Sequence, residues 1–151
     1  MIAFKNLKDI LRITLDWESS LKDFYDVAEF ALKNEDAKKA LRMLREELLE
    51  KLEILKGIKV ESFGKSSWIR FALDYKIEDL IPKDKIRRGA EAREIFTHLV
   101  SYEEKLASIY SRIAETLVPQ VQKELFDSLA RFKEEQIAEV RRLQENYKPE
   151  A

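Results

Sequence analysis

The sequence repeats itself at a constant offset of 85 residues. Ile10 maps to Ile95, Leu15 to Val100, Trp17 to Tyr102, Glu18 to Glu103, Leu21 to Leu106, Phe24 to Ile109, Tyr25 to Tyr110 and Leu32 to Leu117. The same offset carries Leu41 to Phe126, Leu44 to Leu129, Leu52 to Ile137, Leu55 to Val140 and Ile58 to Leu143. Within each half the apolar residues recur at spacings of three and four, which is the pattern of amphipathic helices with one buried face. Any two such helices can be matched at their apolar positions. Nothing in amphipathicity alone pairs Glu18 with Glu103 or Tyr25 with Tyr110, so the repeat points to two helical hairpins related by a pseudo-twofold axis.

With three glycines and three prolines in 151 residues, little interrupts that periodicity. The pattern predicts a first helix over 7–33 and a second over 35–57, started by the "NED" signal at 34–36 and closed by Gly57. A third is predicted over 87–117, and Pro119 opens a fourth that runs to 147. The connections within each pair are short enough to require antiparallel hairpins. Residues 58–86 form a much longer link, in which "SSWIRFAL" reads as a short helix. A link of that length suits a chain that crosses from one end of a bundle to the other. The expected fold is all-α: one domain over 1–151, an antiparallel four-helix bundle with one long crossover between helices two and three.

Composition removes several function classes. The chain is 45% hydrophobic, enough for a real core, and it has no cysteine, so disulfides, thiolate ligands and cysteine nucleophiles are out. A reducing cytoplasm is the expected setting, since "MIAFKNLKDIL" lacks the layout of a signal peptide and no run approaches the ~18 apolar residues of a membrane span. Lys and Arg number 28 against 29 Asp and Glu, with the signs interleaved, which leaves no footprint for nucleic acid. The most basic run, "KDKIRR" at 83–88, reads as a solvated helix start. There is no glycine-rich phosphate loop and no serine–histidine constellation.

Glu18 shares its predicted helix face with Leu15, Leu21 and Tyr25, and Glu103 does the same in the second half. A buried, unpaired carboxylate costs several kcal/mol or takes up a proton, so each must be answered by a metal, a cation or water. Here the segments "WESSLKDFY" and "YEEKLASIY" resemble the first and third helices of the rubrerythrin branch of the ferritin-like superfamily, and the resemblance extends over all four helices. It implies a di-iron carboxylate ancestor, with Glu18 and Glu103 at retained ligand positions and Tyr25 and Tyr110 lining the site. In that family helices two and four each supply a Glu-x-x-His pair. The corresponding positions here are Leu48 and Lys51, and Lys133 and Gln136, so four of the six expected ligands are missing.

Two glutamates alone leave two metal ions underligated. The expectation is therefore that lysines replace the metal, Lys51 holding Glu18 and Lys133 holding Glu103, with Gln136 and the two tyrosines adding hydrogen bonds. The lone histidine, His98, lies five residues before Glu103, off its face, and reads as a flank residue. Glu46, Glu47, Glu50, Glu134 and Glu135 read as solvated helix faces rather than a displaced ligand set. Two functions follow from the resemblance. One is a noncatalytic binding or assembly bundle, a homodimer with no cofactor. The other is a di-iron oxidoreductase, a ferroxidase or peroxide-reducing protein, using Glu18, Glu103 and displaced carboxylates with iron or another divalent metal.

Overall fold

The computed structural model describes residues 2–63, 69–72, 89 and 91–146. Four long helices carry the chain: α1 (Leu7–Ala31), α2 (Glu35–Lys56), α3 (Ala92–Thr116) and α4 (Gln120–Asn146). Their ends follow from local chemistry. Asn6 and Asp9 form a capping box at the start of α1, the Asn6 side chain accepting from the Asp9 N–H at 2.9 Å. Asn34 caps α2 in the same way through the Ala37 N–H at 3.0 Å, with Glu35 and Asp36 in the first turn and Lys56 in the last, each placed favourably on the helix dipole. The Pro119 carbonyl receives the first hydrogen bonds of α4, and the Lys123 ammonium donates to the Ala114 carbonyl at 3.0 Å, joining the Leu117 N–H that closes the end of α3 on the same oxygen.

Helix directions follow from the side chains that meet. Arg42 and Arg45 on α2 bond Glu29 on α1, and Arg45 also bonds Asp26. Arg141 of α4 pairs with Glu104 of α3, and Gln144 with Thr97. Each hairpin is therefore antiparallel. Across the bundle Tyr25 meets Glu103 while Tyr110 meets Glu18, so α1 and α3 also run oppositely. It follows that α2 and α3 run in the same direction. The Phe63 carbonyl accepts from the Gln122 side chain at the α3–α4 end, and the Gly89 N–H donates to the Ala31 carbonyl at the α1–α2 end.

The four long helices make the chain all-α in class, and two local expectations need correction. Beside the helices, β1 (Ile2–Lys5) and β2 (Ile69–Ala72) form a two-stranded antiparallel ribbon with Ile2 opposite Ala72 and Lys5 opposite Ile69. "IRFA" within the segment read as a short helix is thus a strand, because its partner lies far away in sequence and local periodicity carries no sign of it. A short 3₁₀ turn, Val60–Phe63, precedes it. Finally, α3 starts at Ala92 rather than near 87, since Gly89 sits at φ +81°, where a right-handed helix cannot continue. A Cβ there would also stand 2.7 Å from the Lys33 side chain. The run at 83–88 and most of the link expected over 58–86 lie outside the described residues. Among the described residues, no helix is long and apolar enough to cross a membrane.

The core is the one the repeat marks. Ile10, Trp17, Leu21, Tyr25, Leu41, Leu44, Leu48 and Leu52 are buried from the first hairpin, and Ile95, Tyr102, Leu106, Tyr110, Phe126, Leu129 and Val140 from the second. Leu15 and Val100 pack at its margin. At roughly 1.5–3 kcal/mol for each fully buried large side chain, this apolar seam is the main force holding the hairpins together.

Candidate functional site

Midway along the bundle the apolar core is interrupted by a compact set of polar groups. Glu18 of α1, Glu103 of α3, and Lys133 and Gln136 of α4 are all buried, and the Lys133 side chain is 0% exposed. The inward tilt of Glu18 is fixed by Trp17 and Leu21 beside it, and that of Glu103 by Tyr102 and Leu106.

A single ammonium answers both. Lys133 Nζ lies 2.5 Å from Glu18 Oε2, as a hydrogen bond, and 3.2 Å from Glu103 Oε2. The second contact is an ion pair without hydrogen-bond alignment, so Glu103 Oε2 has no hydrogen-bond partner in the protein. Each glutamate also receives a phenol from the opposite helix: Tyr110 Oη donates to Glu18 Oε1 at 2.9 Å, and Tyr25 Oη donates to Glu103 Oε1 at 3.2 Å. The two bonds exchange places under the 85-residue repeat, as a pseudo-twofold relation requires. The Phe132 ring faces the ammonium at 5.3 Å and adds a cation–π contact.

The expected division of labour between two lysines is overturned. Lys51 does not reach Glu18; it is half-exposed and its Nζ sits 5.3 Å from the Phe132 ring. A half-exposed ammonium keeps most of its hydration, and the inward position on α2 is already filled by buried Leu48. Gln136 likewise bonds elsewhere, donating through Nε2 to Glu47 Oε2 at 2.8 Å. Glu47 was readable only as part of a charged face. Its signal is spacing: Glu47 and Lys51 lie four residues apart on one flank of α2, and the repeat places Gln136 opposite that flank. Phe132 had no signal beyond its position next to Lys133.

Charge and burial together set the protonation state. Burial pushes the Glu103 carboxyl up to about 7, with the Lys133 ammonium opposing the rise and Glu18 adding to it. Burial acts to lower the Lys133 pKa, but the two carboxylates outweigh it and hold the ammonium above the ordinary lysine value. Both phenols are raised well above the usual tyrosine value, by burial first and then by the carboxylates, so they act as hydrogen-bond donors and not as acids. Two carboxylates and one ammonium leave one negative charge in a dry site, and a proton on Glu103 removes it.

The site does not fit a pair of metal ions. Lys133 Nζ stands where a cation between Glu18 and Glu103 would have to sit, and the position that the repeat matches to it on α2 is the buried hydrocarbon Leu48. Glu46, Glu50, Glu134 and Glu135 are exposed, and His98 is half-buried on another face. Among the described residues no three His, Asp or Glu side chains converge as a ligand set. No family model, curated protein or solved structure matches this chain.

Proposed function

We propose that this chain is a ferritin-like, rubrerythrin-related bundle in which an internal ion pair has taken the place of a di-iron centre, and that it serves as a noncatalytic binding or assembly protein. One observation carries the reading: the Lys133 ammonium lies between Glu18 and Glu103, the two positions the family resemblance assigns to metal ligands. A group of fixed positive charge cannot share that space with a metal ion, and without the metal the oxidoreductase chemistry has no redox centre. Support comes also from the parallel course of α2 and α3, which a ferritin-like crossover demands, and from the reciprocal tyrosine–glutamate bonds.

What remains for function is the surface. Val27 and Phe30, one turn apart on α1, are exposed, Phe30 by 76%, and would suit self-association of two copies through a helix face. Elemental analysis of protein expressed with and without iron supplementation is the deciding test. Substoichiometric metal in both preparations is expected; two iron atoms per chain would reject the proposal in favour of the di-iron enzyme. Sedimentation at several concentrations tests the dimer separately, with Phe30→Glu expected to shift it to monomer.

A further inference from the structure

The Glu18–Glu103 pair has the chemistry of a receptor for a primary ammonium, and the geometry points to Lys133 as its resident, self-supplied ligand. This inference rests on the noncatalytic reading but says more: the polar centre is an organic-cation site, closed by its own occupant. Three features define it. Two carboxylates from different helices converge on one nitrogen, at 2.5 and 3.2 Å. The Phe132 ring covers that nitrogen at 5.3 Å. Each carboxylate is held from behind by a tyrosine that donates to its other oxygen, which keeps the second oxygen turned toward the ammonium.

An ammonium suits this arrangement better than a spherical ion does. It offers directed N–H donors, whereas a divalent ion would need additional oxygen or nitrogen ligands that Leu48, Phe132 and the donor phenols do not supply. One carboxylate oxygen, Glu103 Oε2, still has no hydrogen-bond donor while sitting in ion-pair range, so the site has capacity for a better-aligned N–H than the tethered lysine gives it. The lysine stem itself is fully buried. Cutting that stem back to Cβ should therefore leave a cavity shaped for the missing piece, which is n-propylammonium.

The test uses the full chain with Lys133→Ala. The variant should lose roughly 10 °C in Tm, because two buried carboxylates lose their cation. Adding n-propylammonium should restore most of that loss along a saturable curve, while propanol, tetramethylammonium and sodium at equal concentration should not. The parent chain should show no response to any of the four. Equal rescue by propanol would mean that the site recognises only a volume of hydrocarbon, and equal rescue by sodium would mean simple screening; either result overturns the inference, as does a variant with unchanged Tm. If Lys133→Ala does not fold, refolding with and without n-propylammonium reads the same property. Refolding that depends on the ammonium supports the site. Failure in both conditions overturns it, as does folding that is restored equally by propanol. None of these outcomes depends on iron content, so this inference and the noncatalytic reading can fail independently.

Discussion

The two hairpins are alike on one side of the bundle and different on the other. Helices α1 and α3 present the same glutamate and the same tyrosine seven residues later, and the pairs bond reciprocally across the pseudo-twofold. Helices α2 and α4 keep the apolar frame, yet where α4 contributes Lys133 and Gln136, α2 contributes Leu48 and Lys51. The symmetric half-site creates two buried negative charges; the asymmetric half-site returns one positive charge. A single lysine therefore has to tie α1, α3 and α4 together, and the remaining charge is left to a proton.

The most severe way to break this comparison is to place the same residue at the two equivalent positions. Methionine is close to lysine in length and close to leucine in volume. Lys133→Met leaves two buried carboxylates without a cation and should cost ~3 to 5 kcal/mol. Leu48→Met is a volume-conserving apolar exchange that should cost less than ~1.5 kcal/mol. Urea denaturation of both variants reads the difference directly. Equal costs would mean that the ammonium contributes no more than its stem.

The next effect comes from the unmatched charge. Because the folded Glu103 carboxyl titrates at about 7, above its ordinary value of 4.5, the native state holds a proton that the unfolded chain releases. The sign follows: this contribution to stability is fully present below pH 4.5 and is lost as pH rises through about 7. Between pH 5 and 8 the melting temperature should fall with rising pH, the whole contribution amounting to ~3 kcal/mol at most. Lys133 acts in the same direction but only above its ordinary range, outside this window. Glu103→Gln should flatten the profile between pH 5 and 8. A wild-type profile that is already flat there would show that both carboxylates stay charged.

How much of this was legible in the sequence divides along the same line. The repeat located the four helices, the buried face and the inward pairs Glu18, Glu103, Tyr25 and Tyr110, because these depend on periodicity, which a sequence carries locally. The partner of each group depends on distances between helices, which it does not. Lys51 and Lys133 stand at different steps of the repeat, and in the bundle Lys133 and Leu48 are buried while Lys51 stays at the margin. The β1–β2 ribbon was hidden for the same reason, since each four-residue strand has its partner more than sixty positions away. Gly89, by contrast, is a local signal: a glycine two residues into the helix predicted from 87 marks a break in it.

A finer probe asks whether the reciprocal tyrosine bonds are equivalent. Tyr110 reaches Glu18 at 2.9 Å, whereas Tyr25 reaches Glu103 at 3.2 Å, the longer bond going to the carboxyl that takes the proton. A hydrogen bond to a charged acceptor contributes ~1.5 to 3 kcal/mol, and one to a neutral acceptor nearer ~1 kcal/mol. Tyr110→Phe should therefore destabilise more than Tyr25→Phe at pH 6, where Glu103 is largely protonated, and the gap should narrow at pH 8.5. Denaturant titrations at the two pH values make the comparison; a gap that does not depend on pH would show that distance alone sets the difference.

The smallest effect tests the lysine that the repeat left outside. Lys51 touches the Phe132 ring from a half-exposed position, and an exposed cation–π contact is worth ~0.5 to 1 kcal/mol. Lys51→Ala should cost no more than that, and Lys51→Met less still, because Met keeps the stem that lies along the ring. The measurement has to be made beside Lys133→Met under identical conditions, since the argument concerns a ratio rather than an absolute value. A Lys51 loss that approaches the Lys133 loss would place the α2 ammonium on the carboxylates in solution, restoring one cation to each glutamate. In that case the residual charge disappears and the downward pH profile should disappear with it, so a large Lys51→Ala effect combined with a sloping wild-type profile is the one pattern that neither arrangement allows.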